Sequence, residues 1–151
     1  MKERIPLQIV EGRLVLTAVI ECRSLRIPKQ IMDFVIDTGS VNSYLSNKDV
    51  KRLQIPIKDK PAKEDVDFGG SRFKQISLSG ITIYLLKEDK EKGCLTLNVS
   101  LSALKTTKCS ERKVVIAQTL PSILGLDFLK EQKISLHVIP TENLAYLEFE
   151  K

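Results

Sequence analysis

Apolar and polar residues alternate with a period of two through much of this chain, in runs short enough to be strands. Leu14 to Glu21 is one such run, and Ile31 to Ile36 (IMDFVI) is a second that ends at Asp37-Thr38-Gly39-Ser40. Arg72 to Leu86 holds two more, ISLSG and ITIYL, placed around Gly80. Leu95 to Leu101 (LTLNVSL) sets leucine and valine on one face and polar residues on the other, and Val114 to Ala117 is a compact apolar run. Ile134 to Ile139 and Leu144 to Phe149 read as a final pair of strands joined by a turn at Pro140-Thr141-Glu142-Asn143.

Two short stretches break the alternation. Ser46-Asn47-Lys48-Asp49 fits a capping box, in which the Ser46 hydroxyl accepts an otherwise unpaired backbone N–H, and Val50 and Leu53 then form an apolar stripe. Asp127 to Gln132 reads as a second helix, its acid set against the positive helix end. Many short strands and two short helices predict an all-β, closed-barrel-like fold. At 151 residues the chain suits one domain, 1–151.

Composition narrows the classes. Hydrophobic residues at 42% and charged residues at 28% are a globular balance and exclude a disordered chain. The net charge of +5 is mild, and its basic residues are interspersed with acids, as in Lys87 to Lys92 (KEDKEK), which reads as a solvated loop. The basic segment Lys105 to Lys113 comes without an aromatic platform, so no nucleic-acid partner is expected. Leu14 to Ile20, the longest apolar-rich run, is too short to cross a bilayer, and MKERIPLQIV lacks a signal-peptide core. Three cysteines, Cys22, Cys94 and Cys109, are an odd number without CxxC spacing and read as reduced thiols. A soluble, cytoplasmic protein is the expectation. A lone histidine, His137, offers no metal site.

The candidate chemistry lies in Asp37-Thr38-Gly39-Ser40, which follows the apolar Phe34-Val35-Ile36. A D-T-G-[S/A] tetrad arises by chance in a chain of this length with a probability on the order of a few in a thousand. The bland reading is an Asx turn at a strand end. A companion segment weighs against it: Ser122-Ile123-Leu124-Gly125, whose glycine lies 88 residues after Asp37, precedes the second helix. In this order the two segments resemble the catalytic loop and the hydrophobic-hydrophobic-glycine motif of the retropepsin-like aspartic proteases. Val41-Asn42-Ser43-Tyr44-Leu45-Ser46 and Gly125-Leu126-Asp127-Phe128-Leu129 are more similar to the single-domain, non-viral members.

The resemblance implies a homodimeric endopeptidase. Amide hydrolysis by this chemistry needs two adjacent carboxylates, and the chain has one such tetrad, so the second Asp37 comes from a second copy across a two-fold axis. Asp37 is then the catalytic acid/base. The Thr38 hydroxyl reaches towards the opposing loop, Gly39 permits a tight turn close to the carboxylate, and Ser40 donates to the outer oxygen of Asp37. Ile123 and Leu124 pack beneath the loop, and Gly125 lets them approach. Phe68-Gly69-Gly70 stands where the family carries a flap, although Asp67 replaces a glycine common in viral flaps; a plain hairpin turn is the alternative. Lys87 to Lys113 reads as an insertion. The chain ends, Ile5 to Val10 and Leu144 to Phe149, are candidates for the dimer contact. No cofactor is implied, and the partner is a peptide or protein substrate. A non-proteolytic peptide-binding or dimerisation module on the same fold is the alternative function.

Overall fold

A computed structural model describes residues 2–57, 60–106, 115 and 117–150. The chain forms strands β1 (Lys2–Val10), β2 (Arg13–Cys22), β3 (Ile27–Ile36) and β4 (Tyr44–Leu45), then helix α1 (Asn47–Arg52). Strands β5 (Val66–Phe68), β6 (Ser71–Leu86), β7 (Cys94–Thr106) and β8 (Ser122–Leu124) follow, then helix α2 (Leu126–Glu131) and strands β9 (Ile134–Ile139) and β10 (Leu144–Glu150). Among the described residues the fold is therefore mostly β, with α1 and α2 as short helices. The strands join in the order β5-β6-β7-β4-β8-β3-β2-β1-β10-β9, and an additional β6–β2 pairing closes a ring of six of them.

The alternating positions become the inner face of that ring. Leu16, Ala18 and Ile20 of β2, Met32, Phe34 and Ile36 of β3, and Ile81, Ile83 and Leu85 of β6 are all buried in one core. At about 1.5–3 kcal/mol for each fully buried aliphatic or aromatic side chain, this core is the main source of stability. α1 closes one side: Ser46 caps it by accepting from the Asp49 amide, and Val50 and Leu53 point into the core.

Three features add to or differ from the sequence expectation. The two strands expected around Gly80 are one 16-residue strand, β6. Within the expected insertion, Lys87 to Lys113, Cys94–Thr106 is the long strand β7, paired with β6 from Phe73↔Thr106 to Leu86↔Cys94; residues 87–93 connect the two strands through a 3-10 turn at Lys90–Lys92, and 107–113 lie outside the described residues. In the apolar run from Val114 to Ala117, positions 114 and 116 also lie outside them. Finally, the chain ends pair with each other within one chain: β1 runs antiparallel to β10 from Lys2↔Glu150 to Leu7↔Ala145. β10 pairs along its other edge with β9, so both of its edges are occupied.

Candidate functional site

β3 and β8 run parallel, with Phe34↔Ser122, Val35↔Ile123 and Ile36↔Leu124 in register. This pairing brings together the two motifs that stand far apart in sequence. Where β3 ends, the Asp37 amide donates to the Leu124 carbonyl at 3.0 Å. The chain then turns: the Ser40 amide donates to the Asp37 carbonyl at 3.1 Å, and the Gly39 amide donates to Asp37 Oδ1 at 2.9 Å. Such an Asx turn fixes the carboxylate against its own backbone. A Cβ on Gly39 would stand 3.1 Å from Asp37 Oδ1, which is the close approach the glycine permits. Asp37 is half-buried, while Thr38 and Gly39 are exposed.

The expected hydrogen bond from Ser40 to Asp37 is not made. The Ser40 hydroxyl donates instead to the Asn42 carbonyl at 2.7 Å, because the turn aims it along the following loop. That loop is clamped to the start of α2. The Leu126 amide donates to the Ser40 carbonyl at 2.9 Å, and the Asp127 amide to the Val41 carbonyl at 3.0 Å. Gly125 makes this contact possible: a Cβ there would stand 2.5 Å from the Ser40 oxygen and 2.6 Å from the Asn42 oxygen.

Ser43, whose role the sequence left unremarked, and Asp127, expected only as a helix-start acid, complete the clamp. Ser43, 2% exposed, donates from its hydroxyl to Asp127 Oδ1 at 2.6 Å and from its amide to Asp127 Oδ2 at 3.1 Å. The Ser43 hydroxyl in turn accepts from the Gly125 amide at 2.9 Å. Asp127 is thus more than a helix-start residue. A second buried network seats α1 on β8: Ser122 donates to Asp49 Oδ2 at 2.6 Å and accepts from the Ser46 amide at 2.8 Å. Only the position of these side chains beside the motifs could have drawn attention to them in the sequence.

The Phe68-Gly69-Gly70 segment is a hairpin tip. β5 and β6 pair through Phe68↔Ser71, with Gly69 and Gly70 at φ 58° and 78° in the two-residue turn. Two consecutive positive φ values are the geometry that glycine supplies for such turns. The hairpin lies against the body near the motifs. The Phe68 ring packs 5.7 Å from that of Tyr44, which pairs with Ile123, and a Cβ at Gly69 would run into Leu120. Asp67 faces outward, its side chain 78% exposed and 4.0 Å from Arg72. His137 stacks on Tyr146 at 4.8 Å, with Nε2 3.6 Å from Glu148. Among the described residues, no helix is long and apolar enough to cross a membrane.

This architecture, a strand-borne D-T-G-S turn seated on an Ile-Leu-Gly segment inside a ring of strands, is retropepsin-like. No family model and no curated protein matches the chain. Among solved structures it is similar to a retropepsin-like aspartic protease from Rickettsia conorii, with a TM-score of 0.59 and 13% sequence identity, over 99% of this chain and 93% of that one. The chain therefore has the fold of the retropepsin-like aspartic proteases. At this identity the likeness speaks for the fold alone.

Proposed function

We propose that the protein is an aspartic endopeptidase that works as a homodimer, with one Asp37 from each copy. The observation that carries this reading is the seating of Asp37. Its carboxylate is held by the Gly39 amide and its own amide is tied to Leu124, in a turn whose Thr38 and Gly39 face solvent. One chain presents half of a two-carboxylate site at its surface.

Two facing carboxylates hold one proton between them, because like charges at close range do not both ionise. The ionised member takes a proton from water as that water adds to the scissile carbonyl carbon; the protonated member hydrogen-bonds to the oxygen that gains charge. The C–N bond then breaks, and the leaving nitrogen receives a proton from the pair. Phe68, Gly69 and Gly70 are proposed as the flap that holds the substrate backbone, and Ile123, Leu124 and Gly125 as the support of the loop. The clamp formed by Ser43, Gly125 and Asp127 favours this use of the turn, since a carboxylate must be held still to face its twin.

The test is digestion of a broad peptide library across acid and neutral pH, by the parent and by Asp37→Asn. The expected outcome is cleavage by the parent and none by the variant, with circular dichroism and sedimentation unchanged. A variant that cleaves as fast as the parent overturns the mechanism. A parent that binds peptides without cutting them leaves a binding module on this fold.

A further inference from the structure

The hairpin of β5 and β6 is attached lightly by its backbone. β5 has three residues and stands first in the strand order, with β6 its one neighbour among the described residues. β6 itself is fixed by β7 from Phe73↔Thr106 onward, so the arm before Phe73 reaches beyond that pairing. Its internal bonds hold it together as a unit. The Lys63 amide donates to the Gln75 carbonyl at 2.8 Å, and Arg72 reaches Asp65 at 3.4 Å and Asp67 at 4.0 Å across the hairpin. A lone pair of strands is marginally stable in water, so side-chain packing decides where such an arm lies.

The tip is built into a buried cluster. Tyr44, Phe73 and Ile123 belong to a group of buried residues separate from the main core, and Phe68 and Leu120 pack against it. The Phe68 ring stands 5.7 Å from that of Tyr44 and 6.4 Å from that of Phe73, both tilted, at separations where aromatic pairs attract. The backbone at Gly69 lies so close to the Leu120 side chain that a Cβ there would clash. Tyr44 pairs with Ile123, and Ile123 pairs with Val35, two residues before Asp37. The tip is thus seated on the strands that carry the Asp37 turn, and each of these contacts is made within one chain.

We infer that Phe68 and the Gly69–Leu120 contact form a latch that shuts the arm over its own chain's half of the site, and that substrate enters when this latch releases. This rests on the reading of Phe68-Gly69-Gly70 as a flap and adds what governs its opening. Neither contact needs a second copy or a substrate to form, so the latch competes with substrate entry. When only a fraction of the molecules is open, apparent affinity falls by that fraction. Weakening the latch therefore raises kcat/KM, while kcat, which reports on substrate already enclosed, stays as it was.

The experiment is hydrogen–deuterium exchange of the full chain, parent against Leu120→Ala, Phe68→Ala and Leu86→Ala, with cleavage kinetics for the parent and Leu120→Ala. Leu86, 47% exposed at the far end of β6, serves as the control. Leu120→Ala and Phe68→Ala are expected to speed exchange over residues 66–72 at least about tenfold, with residues 76–86 unchanged and Leu86→Ala like the parent. Leu120→Ala is also expected to raise kcat/KM several-fold with kcat unchanged. Parental exchange over 66–72 in both latch variants overturns the latch, as does equal acceleration along the whole of β6. Faster exchange with kcat/KM unchanged or lowered overturns the gate. These outcomes leave proteolysis standing. For a parent that binds library peptides without cutting them, association is read instead: faster association with Leu120→Ala keeps the latch and removes the protease, and equal association removes both. A parent that neither cuts nor binds peptides also removes both.

Discussion

Asp127 carries more of the site than its place at a helix start suggests. Its carboxylate accepts three hydrogen bonds, from the Ser43 hydroxyl, the Ser43 amide and the Phe128 amide at 2.7 Å. Truncating it strands a buried hydroxyl and two amides, and each stranded buried group costs about 1–3 kcal/mol. Asp127→Ala is therefore expected to lower the unfolding free energy in urea by at least about 2 kcal/mol, and Asp127→Asn by less, because its amide oxygen still accepts. A loss below about 0.5 kcal/mol, the range of an unimportant surface change, would remove the clamp from the account. At this scale the sequence was partly legible. Asp37 and Gly39 form the turn that their residue types dictate locally. The Ser40 hydroxyl could not be placed, since the conformation of the loop that follows decides its acceptor, the Asn42 carbonyl. The Ser43–Asp127 pair spans 84 residues and exists only once β3 and β8 lie side by side.

β6 shows how an element can be read correctly in composition and wrongly in extent. Its residues in the main core are Ile76 and Leu78 before the bulge and Ile81, Ile83 and Leu85 after it, so the phase facing that core changes from even to odd numbers, while Phe73 is buried in a second cluster with Tyr44 and Ile123. Strict alternation would send one of these sets to solvent. The strand stays whole because Ser79 and Gly80 together stand opposite Ser100, a bulge between Leu78↔Leu101 and Ile81↔Val99 with Gly80 at φ 73°. A glycine within a phase change looks like a break in sequence, which is why two strands were expected. Nothing crowds a Cβ there beyond Ser24 Oγ at 3.8 Å, so the cost of Gly80→Ala is the backbone conformation itself, about 1–2 kcal/mol. Urea denaturation should show that loss; an unchanged midpoint would mean that the bulge relaxes without strain. β1 was missed as a strand for a related reason. Pro6 interrupts its pattern, and a proline demotes a run when no partner is known. The partner, β10, lies at the far end of the chain and accommodates Pro6 opposite Tyr146.

The two chain ends are held together by charge as well as by backbone pairing, and this makes the whole molecule sensitive to acid. Glu148 on β10 is buried, with Lys2 at 3.3 Å, Arg4 at 3.3 Å and His137 at 3.6 Å. Burial alone would raise its carboxyl. The hydrogen bond and charge of Lys2, the hydrogen bond of Arg4 and the charge of His137 together outweigh burial and hold it below the ordinary value of 4.5. A carboxylate depressed on folding contributes stability that is present above its unfolded value and is lost as pH falls through the folded one. Lys2 behaves in the opposite sense. The Glu148 hydrogen bond and the charges of Glu148 and Glu150 raise it above 10.5, so its contribution is complete below 10.5 and fades only at higher pH. The pairing of β1 with β10 should therefore weaken as pH drops below about 4.5, just where a shared-proton pair of carboxylates is often asked to work. The melting temperature of the parent is expected to be steady from neutral pH down to that point and to fall beyond it. Glu148→Gln should melt lower than the parent at neutral pH, because Arg4 then loses the Glu148 carboxylate and Lys2 keeps only the exposed Glu150, and the two curves should converge in acid. Parallel curves throughout would place the acid sensitivity elsewhere, whereas convergence would make the junction of the chain ends the part of the fold that limits how far into acid the protein stays assembled.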